Sequence, residues 1–316
     1  MCGIIGYVGE RQATPILLNS LRKLEYRGYD SSGIGVFDSA RRCLTARKMP
    51  GKIAKLAELI ERQPVGPAKI GISHTRWATH GAPNKINAHP HWDQSKKFLV
   101  VHNGIIENYE SIKKILQSQG VRFVSETDTE VIAQLIGHFY QGDFLSAVQK
   151  ALAKLEGAFA LGILCEDAPD TLITARIGSP LIIGVGDGEF FIASDVPAIL
   201  EETRNIIYLK DGEMAVMSPD GIKVMTFKGR AVTPKVDKVK FSVDAVKKQG
   251  FPHFMLKEIH EQPAVLQRMI KSRIKGTRIE LEGSSLTDHQ LKKIRNIVIV
   301  ACGTAYHAGM IGRYVI

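Results

Sequence analysis

No stretch of this sequence is apolar for long enough to cross a bilayer. The longest aliphatic run toward its end is Ile297-Val298-Ile299-Val300-Ala301, against the roughly 20 residues a spanning helix needs. No basic run followed by an apolar stretch opens the chain, so no secretory leader is predicted and a cytoplasmic location is expected. Cysteine is scarce: 4 in 316 residues, at positions 2, 43, 165 and 302, with no C-x-x-C pair. That scatter predicts reduced thiols and argues against a disulfide frame or a zinc knuckle. Four histidines crowd positions 74, 80, 89 and 91. His89-Pro90-His91 lacks helical i, i+4 spacing, and no nearby Cys or acidic cluster completes a ligand set, so no metal site is expected. Repeats and low-complexity tracts are lacking as well.

Net charge is +10, and residues 241–316 hold 12 Lys+Arg against 6 Asp+Glu. A basic segment of this kind would suit nucleic acid or a phosphorylated ligand. It has no aromatic interleaving and no zinc-finger spacing, so it reads as a solvated face and no nucleic-acid partner is expected. With 44% hydrophobic residues the chain can bury one large core or two smaller ones.

Over residues 1–228 the sequence predicts strands at 3–8, 33–38, 69–74, 98–102, 158–165, 171–176, 181–186, 189–193, 206–210 and 213–218, each β-branched or apolar and mostly punctuated by Gly, Asp or Pro. Helices are predicted at 14–24, capped by Thr14-Pro15, at 109–119, after Thr127-Asp128-Thr129-Glu130, and at 143–155. Many strands with clustered helices predict an α+β layered domain, two stacked sheets flanked by helices. Residues 229–250 are lysine-rich with few large apolar groups and read as a linker. Helical periodicity resumes over 251–273. A buried strand is expected at 294–301, followed by Cys302-Gly303-Thr304 and a helix start, which together would cradle an anion. One such unit lacks the parallel strands that would flank it, so the sequence is expected to be a truncation of a longer chain.

The chemistry centres on Met1-Cys2-Gly3. A small second residue favours removal of Met1, leaving Cys2 with a thiol and a free α-amine. Reference pKa values of about 8.5 and 7.7–8.0 allow that amine to take the thiol proton near neutral pH, the arrangement in which an N-terminal amine replaces a histidine base. Equally, Cys2 could merely start a buried strand. Asn103-Gly104 offers a side-chain amide beside a backbone N–H, two donors that can converge on one oxyanion, but Asn-Gly is also a common turn. Arg76 would grip a carboxylate by its fork and Asp128 an ammonium. Their plainer alternatives are a surface cation and a helix N-terminal acid. Trp77 reads first as a packing anchor.

Taken together, Cys2-Gly3-Ile4, Leu24-Glu25-Tyr26-Arg27-Gly28-Tyr29-Asp30-Ser31, His74–Gly81, Asn87-Ala88-His89-Pro90-His91, Val101–Asn108 and Ser125–Glu130 resemble the glutaminase half of the glutamine–fructose-6-phosphate aminotransferase family. Lys257–Pro263 and Ala301–Thr304 resemble the opening of that family's sugar-isomerase half. The resemblance implies a four-layer α-β-β-α sandwich of the N-terminal-nucleophile type over 1–228, a linker at 229–250 and an incomplete isomerase start at 251–316. It implies Cys2 as nucleophile and Asn103 and Gly104 as oxyanion donors. Arg76, Thr79, His80, Gly104 and Asp128 would bind L-glutamine. Trp77 would gate ammonia, Arg27 would be structural, and Thr304 would begin a sugar-phosphate loop. Fructose 6-phosphate and a homodimer are expected only for the full-length enzyme. Other class II amidotransferases would need an S-G-G-x-D-S nucleotide loop or an acidic phosphoribosyl-pyrophosphate run, and the sequence has neither. A catalytically silent sensor of glutamine or a hexose phosphate stays open as the alternative of another class.

Overall fold

The computed structural model describes residues 2–240, 250–276, 278–280, 286–301 and 303–315. Its contacts divide the chain into two compact units, Met1–Lys247 and Lys248–Ile316.

Among the described residues, the first unit holds two antiparallel sheets. One contains β1 (Gly3–Val8), β2 (Ser31–Asp38), β3 (Cys43–Pro50), β4 (Ile70–Arg76), β9 (Ile182–Val185), β10 (Phe190–Ala193), β11 (Asn205–Tyr208) and β15 (Val236–Lys238). Their order is β15–β11–β9–β10–β1–β4–β2–β3, so β1 lies inside the sheet, between β10 and β4. The other contains β5 (His91–Trp92), β6 (Phe98–Ile106), β7 (Gly157–Cys165), β8 (Ala168–Ile177), β12 (Glu213–Ser218), β13 (Gly221–Thr226) and β14 (Ala231–Val232), in the order β14–β13–β12–β8–β7–β6–β5.

Alternation along each strand sets the layers, because successive side chains point to opposite faces. In β1, Ile5 and Tyr7 join a cluster with α1 (Ala13–Arg22) and α2 (Ile53–Arg62), while Ile4 and Val8 join the cluster between the sheets. In β6, Phe98 and Val100 face α3 (Tyr109–Ser118), α4 (Thr129–Phe139) and α5 (Phe144–Leu152), while Leu99 and Val101 face the other sheet. Helices, sheet, sheet, helices: the α+β four-layer sandwich is the observed architecture. Gly6 shares the inner face, where an added Cβ would lie 2.6 Å from Ile192 Cγ1. A side chain there would push the sheets apart.

Several local expectations are corrected. The first helix begins at Ala13, with Gln12 at the cap and no side-chain cap bond; Thr14 is inside it, its Oγ1 buried without a partner. The tie is instead a backbone one, Ala13 N–H to Ala68 O at 2.7 Å. Asn103-Gly104 is no turn: β6 runs through both to Ile106, paired with β7. The stretch 229–250 supplies β14 and β15, which add edge strands to the two sheets; its residues 241–249 lie outside the described residues.

In the second unit, α6 (Phe254–Arg273) is followed by a short hairpin, Ile274–Lys275 with Arg278–Ile279, and by α7 (Asp288–Lys293) and α8 (Gly303–Val315). The buried strand expected at 294–301 is not formed: among the described residues these make no strand pairing, and Val298 and Val300 are 85% and 93% exposed. A single strand of a parallel unit has no neighbour to satisfy its backbone. Cys302, part of that expected loop, lies outside the described residues. Among the described residues no helix is long and apolar enough to cross a membrane.

Candidate active site

The same alternation that builds the core brings the site together. Cys2 precedes Ile4 by two residues, Arg76 and His74 follow Ile72 on β4, and Asn103 follows Val101 on β6. Ile4, Ile72 and Val101 all face the space between the sheets. Cys2, His74, Arg76 and Asn103 therefore project into one end of that space.

A small cavity there is lined by Cys2, Arg76, Trp77, Thr79, Gly104 and Asp128, with His89, His102, Thr127 and Thr129 at its back. Cys2 Sγ accepts the Trp77 N–H at 3.2 Å, and its own S–H is directed to Trp77 O at 3.4 Å. Burial pushes the thiol above the ordinary cysteine value, opposed by the Trp77 N–H and by the Arg76 and Arg27 cations. The Cys2 carbonyl accepts from Arg27 Nε at 2.9 Å and from Asn103 Nδ2 at 3.2 Å. Arg27 is buried. Asn103 Nδ2 also donates to Ser194 Oγ at 2.9 Å, and Ser194 Oγ takes the Ile4 N–H at 2.8 Å.

Gly104 has φ +128, and a Cβ there would stand 1.9 Å from Ala158 O. Only glycine fits this backbone. Arg76 is buried, and its guanidinium donates to the carbonyls of His80, Gly81 and Ala82. Burial pushes its pKa down, against the pull of Cys2, Asp128, Asp30 and Glu126. Among the described residues its hydrogen-bond partners are all neutral carbonyls, so a buried cation faces the cavity with no carboxylate bonded to it there. Asp128 occupies the N-cap position of α4 yet makes no cap bond. Its Oδ2 accepts the Ile106 N–H at 2.9 Å and lies 4.0 Å from His102 Nδ1. Arg76 is therefore not a surface cation, whereas Asp128 does stand at a helix N-terminus, as its plainer reading has it.

The remaining predicted residues are looser. Thr79 is exposed at the rim, and His80 reaches the cavity only indirectly: its carbonyl holds Arg76 and its ring meets Tyr109 edge-on at 5.4 Å. Trp77 is 46% exposed and touches Tyr29 edge-on at 5.8 Å, so it is not a core anchor. Thr304 lies in the second unit, near the start of α8, with its side chain exposed.

Behind the cavity His74, His89, His91 and His102 are fully buried. His74 and His89 stack at 4.0 Å and 12°, and His89 meets His91 at 4.8 Å. His89 Nδ1 accepts the His102 N–H at 3.2 Å, His102 Nδ1 bonds Thr129 Oγ1 at 2.9 Å, and His91 Nε2 bonds Thr127 Oγ1 at 3.2 Å. Burial lowers all four pKa values, His74 to about 3, so the rings are neutral. Among the described residues no group of three or more His, Cys, Asp or Glu is arranged to hold a metal ion. Sequence reasoning missed Ser194, His89, Thr127 and Thr129 as site neighbours. His89, Thr127 and Thr129 sit in the segments that carried the resemblance, whereas nothing in the sequence marks Ser194, which reaches β1 from 190 residues away.

Comparison with known proteins fits this geometry. Residues 74–201 match the family described as a glutamine amidotransferase domain. Across its whole length the chain is 50% identical to glutamine–fructose-6-phosphate aminotransferase (isomerizing) of Caldanaerobacter subterraneus subsp. tengcongensis and 48% identical to that of Clostridium tetani, covering 52% of each. It is 48% identical to the one from Aquifex aeolicus over 99% of this chain and 51% of that protein. The chain thus spans about half the length of the curated relatives it matches. Among solved structures it is similar to glutamine phosphoribosylpyrophosphate amidotransferase from B. subtilis, with a TM-score of 0.62 and 28% identity over 72% of this chain and 49% of that one. A structure described as the allosteric regulatory enzyme of purine biosynthesis matches with a TM-score of 0.63 and 30% identity, over 72% of this chain and 49% of that one. The fold is that of the N-terminal-nucleophile amidotransferases among solved structures, and residues 74–201 are similar to a glutamine amidotransferase domain. Along its whole length the chain is similar to glutamine–fructose-6-phosphate aminotransferases, and it spans about half of such a protein.

Proposed function

We propose that this chain is a glutamine-hydrolysing module, and that in the intact protein its ammonia aminates fructose 6-phosphate to glucosamine 6-phosphate. One observation carries the reading: a thiol, a buried guanidinium and a buried carboxylate line a single small cavity, with a glycine at its edge that tolerates no side chain. Arg76 and Asp128 are complementary to the α-carboxylate and α-ammonium of an amino acid. Fixed at those ends, the substrate presents its side-chain amide to Cys2.

With Met1 removed, the Cys2 α-amine takes the thiol proton and Sγ attacks the amide carbon. Asn103 Nδ2–H and the Gly104 N–H stabilise the oxyanion. The C–N bond breaks, and ammonia leaves with the proton returned by the amine. Water, deprotonated by the same amine, then cleaves the thioester to release glutamate. Protein groups alone carry these steps. In this reading Thr79 and His80 complete the glutamine pocket, and Trp77, exposed and on the cavity lining, gates ammonia. In the same proposal residues 251–316, with Thr304, open a sugar-isomerase domain of a cytoplasmic, dimeric enzyme.

A glutamine analogue with a chloroketone in place of the side-chain amide tests the reading. Cys2 is expected to be alkylated once per chain, with loss of chloride, and excess L-glutamine is expected to protect it. Labelling elsewhere, or labelling that glutamine does not slow, contradicts the proposal.

A further inference from the structure

We propose that His74 is a positioning residue for glutamine hydrolysis: its Nε2–H fixes the Asn103 side-chain amide so that Nδ2 faces Cys2. The inference rests on the reading of Asn103 as an oxyanion donor.

The register of β1 and β4 sets His74 opposite Ile4, on the strand that flanks the nucleophile's own. Its Nε2 lies 3.0 Å from His102 O and 3.0 Å from Asn103 Oδ1. A backbone carbonyl only accepts, so His102 O requires the proton on Nε2, and that N–H then selects the oxygen end of the Asn103 amide. At the other end Nδ2 reaches Cys2 O at 3.2 Å and Ser194 Oγ at 2.9 Å. Flipping the amide would set an NH2 group against the imidazole N–H and an oxygen against the Cys2 carbonyl, two repulsive contacts in a buried site.

The remaining nitrogen of the ring, Nδ1, is buried and has no hydrogen-bond partner among the described residues. Moving the proton there would orphan an N–H and turn the Nε2 lone pair on two oxygens. The ring is therefore locked in one neutral tautomer, and the stack on His89 at 4.0 Å holds its plane. A histidine that needed only to fill space could be replaced by an apolar residue without consequence for the reaction. This one decides which end of Asn103 the oxyanion would meet.

The test is steady-state glutamine hydrolysis by the full chain beginning at Cys2. Asn103→Leu sets the scale, since losing one oxyanion donor lowers kcat by about 10²–10³-fold. His74→Leu is expected to lower kcat by about 10²-fold with KM within about threefold, and His74→Gln, which keeps an N–H donor at similar reach, to recover to within about tenfold of the parent. The double variant is expected to be no worse than Asn103→Leu alone, because the two residues act as a unit. If Asn103→Leu leaves kcat unchanged, the oxyanion reading itself fails. If Asn103→Leu lowers kcat while His74→Leu does not, or the two losses multiply, the positioning role is overturned. Should His74→Leu not fold, His74→Gln and the nitrogen-15 shifts of the parent histidines decide. A His74 protonated at Nε2 alone at neutral pH supports the proposal, and an Nδ1–H tautomer or an imidazolium overturns it.

Discussion

Lowering the pH from 7.5 to 5.5 is expected to weaken the first unit by a few kcal/mol, and a cluster of buried imidazoles supplies the reason. His74, His89 and His91 are fully buried and their pKa values lie well below the ordinary 6.5, His74 at about 3, chiefly because burial disfavours the cation. Folded, they stay neutral at pH 5.5. Unfolded, each titrates near 6.5 and gains most of a proton across this interval. The unfolded state then binds more protons, so stability falls as pH falls, beginning near 6.5 and continuing toward the folded-state pKa values. Each group that stays neutral contributes on the order of 1 kcal/mol between pH 7.5 and 5.5, and three give a few kcal/mol. His102 is lowered by burial as well, but the Asp128 charge pulls it back up, so its share is smaller. Against a total stability of about 5–15 kcal/mol this is a large fraction. Equilibrium urea unfolding followed by far-ultraviolet circular dichroism at the two pH values measures it. A His91→Gln variant, which leaves the cavity lining intact, should shrink the difference by on the order of 1 kcal/mol. Equal stabilities at the two pH values, or greater stability at 5.5, would refute the neutral cluster.

Two further substitutions probe the site. Gly104→Ala drives a Cβ to 1.9 Å from Ala158 O at φ +128, so a melting temperature lowered by a destabilisation of at least about 1–3 kcal/mol, with little or no glutaminase activity, is expected from thermal unfolding and hydrolysis assays. Asp128→Asn keeps an acceptor for the Ile106 N–H but removes the charge opposite the proposed ammonium. KM for glutamine should rise about 10–100-fold with kcat changed less than about threefold, and an unchanged KM would remove Asp128 from substrate recognition.

Much of this molecule was legible in its sequence where apolar alternation was clean. Gly3–Val8, Glu213–Ser218 and Gly157–Cys165 are the strands their β-branched patterns predict, and the layered α+β class follows from them. Cys43–Pro50 escaped notice because it borders only one strand and is mostly half-buried, with Arg47 and Lys48 on it, so no apolar face repeats. The helix Ile53–Arg62 had a readable signal, Ile53, Leu56, Ala57 and Ile60 on one face, that was passed over. Asn103-Gly104 carries turn chemistry, but ladder pairing with β7 overrides it. For the site, residue types announced what Cys2, Arg76 and Asp128 could do. The clamp on Asn103 by His74 and Ser194 exists only once β1, β4, β6 and the residue after β10 meet, which no local pattern encodes.

The central claim is tested most directly by glutamate release from L-glutamine, measured for the purified chain beginning at Cys2 beside its Cys2→Ala variant. The account predicts release by the first and a rate lower by on the order of 10³-fold or more in the second. Equal rates in both, or no release by a chain whose intact mass shows Met1 gone, would contradict it and favour a module that binds glutamine without cleaving it.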